Sequence, residues 1–145
     1  MNRFLIDLSE SDKTDFGKVE FAQQSEEQKV FSAIWALESE VNNGGFFQYF
    51  NSWDGDTANY APFALKCIGA NVCAEIVARA LATVSSTPLP TEHSAREQLM
   101  TTLSTDAREN LETLNAGFYA YPDNLTGLLY QYVEAHPKTF GVPSA

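Results

Sequence analysis

Three small groups of residues in this chain have the types and spacing that site chemistry needs. The first is Asp54 and Asp56 in "WDGDTANYAP", two carboxylates that match the first and third ligand positions of a calcium-binding EF-hand loop. The match ends there. The sixth position holds Asn59 where that loop turns on glycine, and the twelfth holds Leu65 where a bidentate glutamate belongs. The pair reads as an exposed acidic loop. The histidines His93 and His136 stand in no HxxxH or HxxE spacing, so no metal site is expected.

The second group surrounds Glu38. On helical geometry Glu38 lies about 40° from Ile34 and about 20° from Phe31, inside an apolar arc, so its carboxylate is expected to be partly buried and to need donors. The turn Asn43-Gly44-Gly45 and the side chains of Gln48 and Asn51 are the natural donors. Two readings stay open here: a structural tie between helix and turn, or a small-molecule or peptide pocket, with Glu38 as a general base or ligand acceptor among aromatics. Ser85 and Ser86 have no nucleophile-elbow context, and no glycine-rich phosphate loop occurs, so no catalytic residue and no cofactor is assigned.

The third group is the acidic excess itself. Nineteen Asp and Glu stand against nine Lys and Arg, a net charge of −10. Residues 1–60 carry eleven of the acids and four of the bases, so the acidic potential concentrates in the first half. Such a surface repels nucleic acid and anionic membranes and attracts basic proteins. The candidate partner-binding residues are Asp7, Glu10, Asp12, Asp15, Glu20, Glu26, Glu27, Asp54 and Asp56.

The elements that must position these groups are helical. Ser25 with Glu26, Glu27 and Gln28 has the form of a capping box, and Val30, Ile34, Leu37 and Val41 then recur at four, three and four. The helix is expected to end at "NNGG", residues 42–45, where glycine and asparagine tolerate the left-handed conformation and the chain reverses. A short second helix would then place Phe46, Tyr49, Phe50 and Trp53 on one side.

Tyr60 to Ile68 forms a further stripe closed by Gly69. Asn71 is placed to cap a helix carrying Cys73, Ile76, Val77, Ala80, Leu81 and Val84. "SSTPLPT", residues 85–91, reads as a loop. Helices follow over about 92–103 and around Leu111, Leu114 and Phe118. A last one has Pro122 in its first turn, with His136 satisfying carbonyls at its end.

Only "FLIDLS" offers a weak strand. The fold class is therefore all-α, a single-domain bundle of six or seven helices, with an acidic lead-in over 1–24 and the helical domain over 25–140. Cys67 and Cys73, each on an apolar helix face, read as structural thiols. The N-terminus lacks a signal-peptide core and no stretch could span a bilayer, so a cytoplasmic protein is expected.

Glu40, Asn42 to Phe46, Gln48, Phe50 and Asn51, followed by Cys67-Ile68-Gly69-Ala70 and the helix ending "ARAL", resemble the signature of a bacterial all-helical DNA-mimic-like domain family. Arg96, Phe118, Tyr119, Tyr130 and Tyr132 are similar to its later features. The resemblance implies a binding protein that, as a dimer, occupies the DNA-binding surface of a transcription factor. It transfers no individual mimic residue, because a mimic's acids are scattered over its surface. A basic DNA-binding protein, or a nuclease inhibited in the manner of an immunity protein, is the expected partner. The "NNGGFFQYF" turn is expected to hold the fold together.

Overall fold

The computed structural model describes residues 3–141. Its backbone is built from eight α-helices, seven of them at least seven residues long, and no strand occurs among the described residues. They are α1 (Arg3–Glu10), α2 (Glu26–Asn51), α3 (Ala61–Cys67), α4 (Asn71–Val84), α5 (His93–Thr101), α6 (Thr105–Tyr119), α7 (Leu125–Ala135) and α8 (Pro137–Phe140). Short 3-10 turns cover Phe21–Gln23 and Trp53–Thr57.

The central element is α2, which packs against α3, α5, α6 and α7, while α4 packs across α3 and α6. Its fully buried Val30, Phe31, Ile34, Leu37 and Val41 follow the spacing that the sequence shows. Phe31 stacks on Trp35 and meets Phe140 of α8 at 5.7 Å between ring centres, so the last helix closes the core that the second one opens.

At the start of α2, Ser25 accepts a hydrogen bond from the Gln28 amide, which is half of the expected capping box. The reciprocal half is missing because the Gln28 side chain reaches the preceding segment instead. It donates to the Lys13 carbonyl and accepts from Thr14 Oγ1 and the Asp15 amide.

The lead-in is consequently tied to the bundle. The weak strand at "FLIDLS" is in fact α1, and its Leu5 and Leu8 are buried in the core while Phe4 packs edge-on against Tyr130 of α7. Phe4, Leu5 and Leu8 sit at i, i+1 and i+4, a helical stripe too short to distinguish from a strand by period alone.

Two helix boundaries and the burial of one cysteine also differ from the sequence reading. The residue at the N-cap of α4 is Ala70, not Asn71, and the acceptor for its third amide comes from Asp123, whose Oδ2 lies 2.8 Å from the Cys73 nitrogen. A carboxylate fifty residues away thus does the work of a local cap. Pro122 lies outside the last long helix, which Asn124 caps by accepting from the Gly127 amide. Third, Cys67 is exposed at the end of α3, and only Cys73 is buried; both are free thiols. His136 does terminate α7 as expected, with Nδ1 at 2.8 Å from the Tyr132 carbonyl oxygen.

Candidate acidic cleft

The helical path of α2 is broken at Gly44 and Gly45, where φ is −162° and +81°. Only Gly45 needs the left-handed region, and the two asparagines before it do not adopt it. The break is held from α6. Asn115 Oδ1 accepts the Phe46 amide at 2.9 Å, and the Tyr119 hydroxyl donates to the Val41 carbonyl at 2.6 Å. A side chain on Gly45 would collide with Asn115 as well as straining the backbone.

These contacts correct the expected role of Glu38. It is buried as the helical arc predicts, but Oε2 has no hydrogen-bond partner. Burial pushes its carboxyl above the usual carboxylate range. Gln48 donates instead to Glu40 across the break, Asn43 and Gly44 are exposed, and Asn51 offers its backbone carbonyl to His93 Nε2 at 3.0 Å. None of Glu38, Asn43, Gly44, Gly45, Gln48 and Asn51 lines the three cavities described for this fold.

Beyond the break, Phe46, Tyr49 and Phe50 are fully buried, whereas Trp53 is 77% exposed. The expected four-ring face ends at Phe50, since α2 stops at Asn51 and the chain enters a 3-10 turn. That turn is clamped by Arg96 from α5. Its guanidinium, in a side chain only 1% exposed, donates to the carbonyls of Phe50, Ser52 and Trp53 on one side and of Pro90 and Thr91 on the other.

Five carbonyls around one cation join the end of α2 to the proline-rich loop. Gly55 is the close-approach point of the clamp: a Cβ there would stand 2.8 Å from Arg96 Nε and from the Phe50 and Tyr49 carbonyl oxygens. The glycine of "WDGD" is therefore required by packing, not by a calcium loop. Asn59, at the position that would need glycine, exchanges two hydrogen bonds with the Leu89 backbone, and Leu65 is buried. Among the described residues no three His, Cys, Asp or Glu side chains gather as a metal site.

The clamp presents Trp53, Asp54 and Asp56 to a cavity of about 500 Å³ that is also lined by the 16–21 segment, with Phe16, Val19, Glu20 and Phe21. The indole is fixed by stacking on His93, with ring centres 3.8 Å apart. Glu20, Asp54 and Asp56 have no cation within ion-pair distance among the described residues. Lys18 reaches the same cavity, but its ammonium donates to the Ser11 carbonyl. Desolvation, then the charges of Glu40 and Asp56, raise the Asp54 carboxyl. Desolvation raises that of Asp56 too, against the opposing pull of Arg96.

The other acids of the candidate face lie elsewhere. Asp7 pairs with Arg3 at 3.1 Å on α1, Glu10 and Asp12 are exposed, and Asp15 is half-buried beside Gln28. Glu26 and Glu27 occupy the first turn of α2, where their charge raises the phenols of Tyr60 and Tyr132 behind the larger effect of desolvation. The structure thus brings three of the nine, Glu20, Asp54 and Asp56, into one cleft.

Sequence reasoning did not find Arg96 or Asn115 as organising residues. Asn115 had a signal, being a polar residue inside the Leu111, Leu114 and Phe118 stripe; Arg96 had none in spacing, because every group it holds is a backbone carbonyl.

No curated protein and no solved structure matches the chain. A family model described as DMP19-like protein matches residues 22–136, a span that includes the α2 break, the Arg96 clamp and the Trp53 turn and leaves α1 outside. The chain therefore belongs to the DMP19-like protein family.

Proposed function

We propose that the chain is a non-enzymatic binding protein, of the DNA-mimic kind, that occupies the nucleic-acid-binding surface of a basic protein such as a transcription factor. The observation that carries this reading is the presence of three carboxylates, Glu20, Asp54 and Asp56, around one cleft without a cation within ion-pair distance, on a chain of net charge −10. Carboxylates that form no ion pair within the chain offer a basic groove what phosphates offer it, namely fixed negative charge whose contact is weakened by salt. Membership of the DMP19-like family supports the same reading. Direct nucleic-acid binding is opposed by the charge. Among the described residues no helix is long and apolar enough to cross a membrane. Two free thiols fit a reducing, cytoplasmic setting.

The test is competition. A basic DNA-binding protein captured from the native lysate is bound to labelled duplex, and the chain is titrated in. Loss of the protein–DNA complex, with an inhibition constant that rises steeply between low and physiological salt, is the expected outcome. A captured partner that holds its DNA undisturbed would defeat the reading, and a captured nuclease would move it from regulator to immunity-type inhibitor. Light scattering of the same sample measures the homodimer that belongs to this proposal.

A further inference from the structure

The cleft under Trp53 has mixed walls. Phe16, Val19, Phe21 and Trp53 are apolar, and Glu20, Asp54 and Asp56 are acidic; Gln24, Ser32 and Thr57 add neutral polar groups, and the one lining cation, Lys18, donates to the Ser11 carbonyl. The indole stacks on His93, is 77% exposed and lines the cavity. The stack on His93 and the Arg96 clamp hold this ring in place before any partner arrives, so little side-chain entropy remains to be lost there. A cleft of this size with apolar walls and three carboxylates that form no ion pair complements a long stem that ends in a cation.

We propose that this cleft is the anchor site for a single arginine side chain of the protein partner. The inference deepens the basic-partner reading and rests on it. A guanidinium is planar and weakly hydrated, stacks on an indole face and can donate in parallel to two carboxylates, whereas an ammonium is a compact, strongly hydrated point charge. Asp54 and Asp56 stand two positions apart on one 3-10 turn, and Glu20 lines the same cleft from the 16–21 segment. The methylene stem runs along Phe16 and Phe21. Arginine in a desolvated aromatic pocket is also the kind of residue that concentrates binding energy at protein interfaces.

The experiment uses the full chain and two fluorescein-labelled hexapeptides, hexa-arginine and hexa-lysine, equal in charge, measured by anisotropy at low and physiological salt. The arginine peptide is expected to bind about tenfold more tightly or better. Trp53→Ala should abolish that preference, and the Asp54→Asn/Asp56→Asn double variant should weaken the arginine peptide about tenfold or more. Asp7→Asn/Glu10→Asn, neutralised on α1 outside the cleft, should weaken both peptides alike and by no more than a few fold. Trp53 is exposed, so its variant keeps the fold, and a thermal melt verifies this.

Equal affinity for the two peptides, or an arginine preference that survives Trp53→Ala, overturns the anchor site while leaving an acidic binding surface in place. Failure of both peptides to bind at low salt overturns the anchor and the basic-partner reading together. A Trp53-dependent arginine preference in a chain that displaces no DNA-binding protein keeps the anchor and removes the mimic reading.

Discussion

Phe50 and Trp53 are three residues apart, both aromatic and both on the helical spacing that would give them one face, yet one is fully buried and the other 77% exposed. The corner that contains Phe50 is enclosed by α6 on one side and the Arg96 clamp on the other, with its amide and carbonyl groups satisfied by Asn115 and Tyr119. The turn that contains Trp53 is held by the same clamp from beneath, so its outer surface stays free. A single buried guanidinium thus divides the stretch into an inner half that stabilises the fold and an outer half that displays charge and an aromatic ring. The division is testable because the two halves must respond differently to substitution.

The largest effect is expected on the inner half. Phe50→Ala removes a fully buried ring that touches Phe46 and Tyr49, at a cost of roughly 3–5 kcal/mol, read by urea unfolding. Arg96→Ala should fall in the same range, since it leaves up to five carbonyls without their common donor. Melting like the parent protein in either variant would mean that the corner is not what holds the bundle.

Gly55→Ala and Gly45→Ala come next, at roughly 1–3 kcal/mol each, because the new Cβ meets backbone and Arg96 in the first case and Asn115 at positive φ in the second. Gly69→Ala sharpens the comparison. It shares the positive φ but has open space around it, so it should cost only the backbone strain, about 1 kcal/mol.

Glu38 gives an effect of opposite sign. A buried carboxylate with one oxygen left without a partner opposes folding, and Glu38→Gln should raise stability at neutral pH by roughly 1–3 kcal/mol. Its folded-state carboxyl titrates above the ordinary value of 4.5, so its favourable contribution is complete below that value and is lost as pH rises through the raised one. The stability gap between the variant and the parent should therefore close toward pH 4 and open toward pH 7. A gap that widens on acidification would contradict the burial argument.

On the outer half, Asp54→Asn/Asp56→Asn should move stability by no more than about 0.5 kcal/mol while weakening association with a basic protein. The raised carboxyls of both residues set the sign of that small change, toward stabilisation at neutral pH. The smallest expected signal is chemical. Cys67 should react slowly with a disulfide reagent in the native protein. Cys73, whose thiol is pushed up to about 12 by burial and then by the Asp123 carboxylate, should react only on unfolding. Two thiols reacting together without denaturant would overturn that assignment.

Much of the scaffold was legible because helices announce themselves through local spacing. The α2 stripe, the Gly69 stop, the loop at 85–91 and the carbonyl contact of His136 all depend on residues within a few positions of one another. The departures arose where a distant group replaced a local one. Asp123 took the capping role expected of Asn71, and Gln28 turned from its own helix toward residues 13–15. Asn115 supplied the acceptor for the α2 break. In each case a side chain of suitable chemistry was present locally, but the better geometry came from a chain segment brought near by packing.

The sequence by itself determined the helical class, the position of the break at "NNGG", the burial of Glu38 and the acidic balance, since these depend on periodicity, backbone tolerance and composition. Only the tertiary structure decided which acids share a cleft. Glu20 stands more than thirty residues before Asp54, and nothing in local spacing relates the two. They meet because Gln28 anchors the lead-in to α2 and Arg96 bends the chain after Asn51 onto the proline-rich loop. Hydrogen bonds to backbone carbonyls carry no side-chain pattern, so the clamp that builds the cleft is invisible until the fold brings those carbonyls to one guanidinium.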